Sequence, residues 1–397
     1  MSLANGRSYT AIPGPSVMPD RVLAAMMRPA PDIYDPDLHD LVAGLVGDLN
    51  KVARNSGHVA MYICNGHGLW EAALQNITAP GDLVLVPATG SFGHGWAEMA
   101  RSIGRRVEVI EHGRQSPIDP ERVRSALRAD RGGRIKVVLA VHVDTSSSVR
   151  SDIAALRAVI DEEGHGALLA ADCIASLGSD VFEMDKSGAD LMIAASQKGL
   201  MVPPGMGFVF FNERARQKRA CLGPVSLYWD WQPRAEPELF YQYFGGTAPT
   251  HHLYGLRVAL DMIFEEGLEQ VWARHARLAQ MLWAAVDHWG KDGAFHLNLT
   301  DPAHRSHAVT AAGLDAPDGD RLRAWLTDQA GVTLGIGLGA ATPDDPGASG
   351  KLRFGHMGHV NAHMMLGVLG SVEAGMKALG IAHQPGGVTA AAQKMAE

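Results

Sequence analysis

From about residue 57 to 211 the chain alternates apolar runs with stretches of helical spacing, and this alternation constrains the fold more than any other feature. The runs are VAMYIC (59–64), DLVLVPA (82–88), RVEVIE (106–111), KVVLAVHV (136–143), ALLAAD (167–172), DLMIAA (190–195) and GFVFFN (207–212). Most are apolar at successive positions, as required of a strand covered on both faces by helices. The intervening IDPERVRSALRAD and SDIAALRAVIDEEG have helical periodicity with local start and stop signals. The expected fold is α/β, with a mostly parallel seven-stranded sheet. Ligands of such sheets sit at the carboxyl ends of the strands.

Beyond residue 212 the pattern breaks into GPVSLYWDWQPRAEPELFYQYFGGTAP. One long helix is expected over residues 254–290, then a smaller α+β segment to about residue 380. A chain of 397 residues is too long for one simple core. The division expected is an arm (1–20), a large domain (21–265) and a small C-terminal domain (266–397). The tail QPGGVTAAAQKMAE has little to pack and is expected to be loosely ordered.

A net charge of −8 argues against nucleic-acid and anionic-membrane partners, which need clustered positive charge. The short basic stretch Arg214, Arg216, Lys218 and Arg219 reads as a solvated helix face. No apolar run approaches the ~20 residues of a membrane helix. Cys64, Cys173 and Cys221 match neither a zinc site nor a disulfide framework, which fits a reducing, cytoplasmic setting. The N-terminus has no signal-peptide pattern, and no residue pattern points to a metal.

Lys198 follows the run DLMIAA directly. A lysine near buried surface has its ammonium form disfavoured and can become a Schiff-base nucleophile, though most lysines after strands are merely solvated. Asp172 ends the run ALLAAD, where its carboxylate points into the ligand crevice or caps the following helix. A pyridine cofactor such as pyridoxal phosphate needs an acid there to keep its ring nitrogen protonated. The pairing of an Asp and a Lys on neighbouring strand ends is more specific than either residue. NGHGLWEAAL (65–74) places Gly66, His67 and Gly68 at a helix start, where backbone N–H groups can cradle a phosphate. GxGxxG is absent, and no convincing acidic ribose ligand accompanies the turn, so a dinucleotide enzyme is disfavoured.

In order from about residue 11 to 380, PGPSVMP, NGHGLWEAAL, GSFGHGW, VHVDTSSSV, AADCIASLGS, SQKGLMVPPG and KLRFGHMG resemble the alanine/serine–glyoxylate aminotransferases. These are class V enzymes of PLP fold type I. The resemblance implies pyridoxal 5′-phosphate as cofactor, Lys198 as its Schiff-base lysine and Asp172 as partner of the pyridine nitrogen. Asn65, Gly66 and His67 match the phosphate turn, and Gln197 a further phosphate contact. Phe92 matches the aromatic stacked on the ring, and Thr145 the hydroxyl at its O3 side. Arg353 matches the arginine that grips the substrate carboxylate, a role suited to a bidentate guanidinium. Thr247 matches a residue that reaches the phosphate of a neighbouring subunit, which implies a homodimer with its active site at the interface.

Departures from the family pattern are Cys173 and Ala175 in DCIAS, Phe244 and Gly246 where a tyrosine is common, and Ser148 for a usual glycine. IYDPDLHD, with Tyr34 as a candidate substrate contact, resembles pyridoxamine–pyruvate aminotransferase instead. Leu338 stands where that relative has a second arginine. The implied activity is transfer of an amino group from serine or alanine to glyoxylate or pyruvate. A pyridoxamine–pyruvate enzyme is the alternative. A PLP lyase or desulfurase is less favoured, since a desulfurase needs a cysteine on a late loop and all three precede residue 222.

Overall fold

The computed structural model describes residues 2–339 and 346–397. Its strands, in chain order, are β1 (Tyr9–Ala11), β2 (His58–Tyr62), β3 (Leu83–Ala88), β4 (Arg106–Glu111), β5 (Ile135–Val141) and β6 (Leu168–Asp172). There follow β7 (Leu191–Ala195), β8 (Gly207–Phe211), β9 (His296–Leu297), β10 (Val309–Gly313), β11 (Val332–Ile336) and β12 (Lys351–Gly355). A further two-stranded ribbon joins Val143–Asp144 to Val149–Arg150.

The seven apolar runs of the sequence form one seven-stranded sheet in the order β2-β8-β7-β6-β5-β3-β4. Only β8 runs against its neighbours, antiparallel to both β2 and β7. Alternate residues of one strand enter different cores, the reason the runs are apolar throughout. Leu169 and Ala171 join one core, and Leu168 and Ala170 the other. β4 is different: its alternating pattern belongs to a sheet edge, and it exposes Arg106, Glu108 and Glu111. Charged side chains there discourage pairing with another chain.

The helices that matter to the site are α1 (Gly66–Ile77) and α2 (Ser91–Ser102), which pack Leu69, Trp70, Trp96 and Ala100 onto one sheet face. α3 (Thr250–Glu266) covers the opposite face with Leu253, Leu256 and Leu260. The five-stranded sheet β1-β11-β12-β10-β9 has its own core, with α4 (Leu268–Trp289) and α5 (Ala362–Leu379). The N-terminal strand β1 thus pairs with β11, more than 300 residues later in the chain.

Three expectations are corrected. The single helix expected over 254–290 is two helices, α3 and α4, because Gly267 adopts φ +89° and breaks the hydrogen-bond ladder. The tail is ordered: residues 387–396 form a helix that buries Ala391, and Arg277 donates to the Lys394 carbonyl at 3.1 Å. The small residues read as having nothing to pack are what let this helix lie close on α4. Gly387 has no room for a side chain, since a Cβ there would sit 2.2 Å from the Trp289 indole nitrogen. The basic stretch at 214–219 keeps Arg214 and Arg216 exposed, as expected of a solvated helix face, and departs from it at Arg219, which is buried on Asp230 at 2.6 Å. Among the described residues no helix is long and apolar enough to cross a membrane.

Candidate active site

Sheet register builds the site. Val141 of β5 lies opposite Asp172 of β6, which in turn lies opposite Ile193 of β7. The carboxyl ends of these three strands are therefore level, and the turn leaving β7 carries Gln197 and Lys198 to the edge where Asp172 ends. A cavity of about 250 Å³ opens there. It is lined by Asn65, Gly66, His67, Phe92, Thr145, Asp172, Gln197 and Lys198 among others, eight of the eleven residues singled out from the sequence.

Lys198 is held by the N-terminal segment. Its Nζ donates to the Pro13 carbonyl, and Ser16 Oγ donates to the Lys198 carbonyl at 2.7 Å. Gly14 is required here, since a Cβ would meet Lys198 Nζ at 2.5 Å and the residue sits at φ +92°. Burial, and after it the field of Arg353, pushes the amine down to about 8, against a smaller opposing pull from Asp172. An amine titrating there is partly neutral near physiological pH, as a nucleophile or proton carrier requires.

Asp172 is 3 % exposed. Burial pushes its carboxyl up to about 6, against the Ile174 backbone N–H at 2.9 Å and the Trp70 indole N–H at 2.8 Å. It does not cap a helix; it faces the cavity.

The turn before α1 differs in detail from the expected cradle. The Asn65 side chain accepts from the His67 and Gly68 N–H groups, at 3.1 and 3.4 Å. As the helix cap it occupies two of the three expected donors and leaves Gly66. That glycine is tightly packed, with a Cβ position 2.6 Å from Ile174 Cδ1. Across the cavity, Gln197 Oε1 is buried without a hydrogen-bond partner.

Arg353 is placed beside this cavity, not on its wall. It donates from Nε to the Ile336 carbonyl at 2.7 Å and from Nη1 to the Thr145 carbonyl at 2.9 Å. Burial pushes its guanidinium down to about 10. Tyr34 and Thr247 are not brought in: Tyr34 is 78 % exposed, Thr247 is also exposed, and neither lines the cavity. Both lie on the outside of the chain. Leu338 contributes its carbonyl, which accepts from Arg114 Nη2 at 3.0 Å. The same Arg114 nitrogen bonds the Ser146 carbonyl at 2.8 Å. Arg353 and Arg114 thus tie the 336–338 segment to the 145–146 turn in parallel.

Sequence reasoning missed Trp70, Asp144 and Arg114. Asp144 is fully buried, and its Oδ2 accepts from the Phe92 and Gly93 N–H groups at 3.0 and 3.2 Å. Its Oδ1 takes the Ser146 hydroxyl at 2.6 Å, and that Ser146 oxygen accepts the Ser91 N–H at 2.8 Å. Gly90, which cannot cap α2 by itself, leaves room for this borrowed cap: a Cβ there would lie 2.5 Å from Asp144 Cγ. The signal was an aspartate followed by hydroxyl residues in VDTSSS, the composition of a side-chain turn. Asp144→Ala is expected to lose about 1–2 kcal/mol, as for other lost helix caps, measured as a lower urea midpoint at unchanged slope.

Residues 66–355 match the aminotransferase class-V family. The chain belongs to that family. It is 37 % identical over 402 residues to a serine–glyoxylate aminotransferase of Methylorubrum extorquens, covering 99 % of this chain and 97 % of the relative. Among solved structures it is similar to ureidoglycine–glyoxylate aminotransferase from Bacillus subtilis, with TM-score 0.89, 25 % identity and full coverage of both chains. It is likewise similar to pyridoxamine–pyruvate aminotransferase from Mesorhizobium loti, with TM-score 0.88, 27 % identity and 100 % and 99 % of the two chains covered. The α/β fold is that of the fold-type I PLP aminotransferases, and the cofactor of this class-V chain is pyridoxal 5′-phosphate. The cavity fits that group. Its lining combines the Lys198 amine, the Gly66 turn at the α1 terminus and a Gln197 amide whose oxygen is buried without a partner, and among its described residues Asp172 presents the only buried carboxylate.

Proposed function

We propose that the protein is a transaminase that moves the amino group of a small amino acid, serine or alanine, to glyoxylate or pyruvate. One observation carries this reading: a single cavity joins an amine lowered to about 8, Lys198, to a buried carboxylate, Asp172, from adjacent strand ends. Pyridoxal phosphate, when bound, supplies the electron sink at the substrate Cα. Lys198 is the residue that holds it and then carries the proton to and from Cα. Asp172 holds positive charge at the ring nitrogen, and Phe92 and Thr145 cover the ring and its O3 side. Asn65, Gly66, His67 and Gln197 would hold the phosphate, with the Gly66 N–H and the Gln197 amide N–H as donors, since the Asn65 side chain occupies the His67 N–H. Arg353 has three of its five N–H groups left after its two backbone bonds, enough to grip a carboxylate end-on.

The reading includes a homodimer in which Thr247 and Tyr34 serve the neighbouring subunit's site. Its support is their exposure, together with that of Leu227 and Tyr241 in the same stretch of chain as Thr247. The large domain is read as 21–265 and the small one as 266–397, the boundary falling beside the break at Gly267. A cytoplasmic setting is supported by three free cysteines.

The second reading, a pyridoxamine–pyruvate enzyme, is favoured by the likeness to that structure and by the Tyr34 segment. Amino acids and keto acids both carry a carboxylate beside the reacting carbon; pyridoxamine carries none. Arg353→Ala is therefore expected to impair the half-reaction with serine or alanine and the return half-reaction with glyoxylate or pyruvate alike. Loss of a charge-assisted contact that leaves its partner buried costs about 2–5 kcal/mol, roughly 30- to several-thousand-fold in kcat/KM. Each half-reaction is followed by absorbance in isolation. Loss confined to the keto-acid half, with pyridoxamine consumed normally, would establish the second reading.

A further inference from the structure

We propose that Trp70 is a positioning residue for the cofactor's ring nitrogen: its indole N–H orients the Asp172 carboxylate and holds it ionised. The inference rests on the reading of Asp172 given above and adds the group that makes that role possible.

The geometry is specific. Trp70 is 2 % exposed and donates Nε1–H to Asp172 Oδ2 at 2.8 Å, while the Ile174 N–H takes Oδ1 at 2.9 Å. Each oxygen has one donor, which fixes the plane of the carboxylate and leaves one lone pair on each for the cavity. The indole is locked in place. It stacks on Trp96 at 6.4 Å, meets Phe92 edge-on at 6.2 Å, and has His67 at 4.6 Å. A Cβ on Gly95 would come within 2.9 Å of it. Its neighbour gives the contrast, for the equally buried Trp96 Nε1 has no hydrogen-bond partner. Trp70 also lies four residues after Gly66 on α1, on the same helix face. One helix therefore brings both the Gly66 turn at its terminus and the Trp70 indole to the lining of the same cavity.

The electrostatic consequence has a definite sign. Burial disfavours the Asp172 anion, and so does the like charge of Asp144; the two N–H donors and Lys198 favour it. Removing the indole N–H therefore moves the carboxyl upward in pH, toward a neutral acid that cannot hold a pyridinium.

The test uses the full-length chain stripped of cofactor and titrated calorimetrically with pyridoxal phosphate between about pH 5 and 8. Four proteins are compared: wild type, Trp70→Phe, Asp172→Asn and the double variant. Phenylalanine keeps an aromatic ring in the stack and removes only the donor. Trp70→Phe is expected to bind about tenfold to a hundredfold more weakly near neutrality, the range for a hydrogen bond to a charged group. Its acid limb should move up by about one pH unit. Titration of the cofactor phosphate is common to all four proteins, and the change that Asp172→Asn makes at Lys198 is shared by both members of that background, so each cancels when Trp70→Phe is compared within a background. In the Asp172→Asn background Trp70→Phe should have no further effect on the acid limb. An unmoved limb, or an equal loss in both backgrounds, would make Trp70 a packing residue.

A second measurement requires neither that variant nor cofactor binding. In the ¹⁵N-labelled wild type, one of the eight indole resonances should shift with a midpoint near 6, and that shift should vanish in Asp172→Asn. If no indole titrates, the proposal is overturned even if Trp70→Phe fails to fold. An indole that titrates in a protein that does not bind pyridoxal phosphate would instead overturn the reading of the site.

Discussion

Lys198→Ala is expected to abolish turnover and to leave the purified protein without the visible band of covalently held cofactor. Two functions are lost together. The amine that holds pyridoxal phosphate is absent, and so is the base at the substrate Cα, whose removal alone costs roughly 10²–10⁴-fold. Small primary amines added in solution should restore part of the rate, because the space vacated opens into the same cavity. In the wild type, borohydride followed by peptide mapping should place the cofactor on Lys198. The rate of cofactor attachment to the stripped protein should rise with pH through a midpoint near 8, where burial and Arg353 have brought the amine. A lysine without those neighbours would show a midpoint near 10.5. Near-wild-type turnover in Lys198→Ala would remove the basis of the proposed function.

Asp172→Ala has the next largest expected effect. The variant loses the only buried carboxylate among the described residues of the cavity lining and strands the Trp70 indole N–H and the Ile174 N–H without an acceptor. Catalysis falls because a neutral ring draws electrons poorly from Cα. A loss of about 3–5 kcal/mol, as for other broken buried charge pairs, corresponds to roughly 10²- to several-thousand-fold in the single-turnover rate. The cofactor should still attach, since Lys198 and the α1 turn are untouched. If affinity changed while the single-turnover rate did not, Asp172 would be a packing residue.

Much of this site was legible before any coordinates, and the reason is local. A strand buried on both faces must be apolar throughout, so six such runs, with the alternating RVEVIE as an edge, fix a mostly parallel α/β sheet. The six strands that run parallel then bring their carboxyl ends to one edge, which β8, running the other way, does not share. Asp172 ends one apolar run and Lys198 comes three residues after another, so their meeting at that edge follows from the same pattern. Asn65, Gly66 and His67 were readable because a polar cap and small residues before an amphipathic stretch mark a helix start.

Other features had no local signal. The Trp70 to Asp172 bond joins residues 102 apart, and nothing around Trp70 distinguishes it from the core tryptophan Trp96. Arg353 could be assigned to the carboxylate by resemblance, but its two backbone bonds depend on how β11 and β12 pair and on where the Thr145 turn falls. Arg114 reaches Leu338 across 224 residues. The break at Gly267 and the ordered tail were misread for a related reason. Helical spacing continues through a glycine, and small residues look featureless until the surface they approach is known. The sequence by itself determined which segments become strands, their apolar faces and the residue types at the sheet's carboxyl edge, because burial imposes those patterns residue by residue. Tertiary structure alone decided which donors face Asp172, where the Arg353 fork is aimed and which residues stay outside, because a hydrogen bond depends on ångström-scale placement of groups that the chain brings together only when folded.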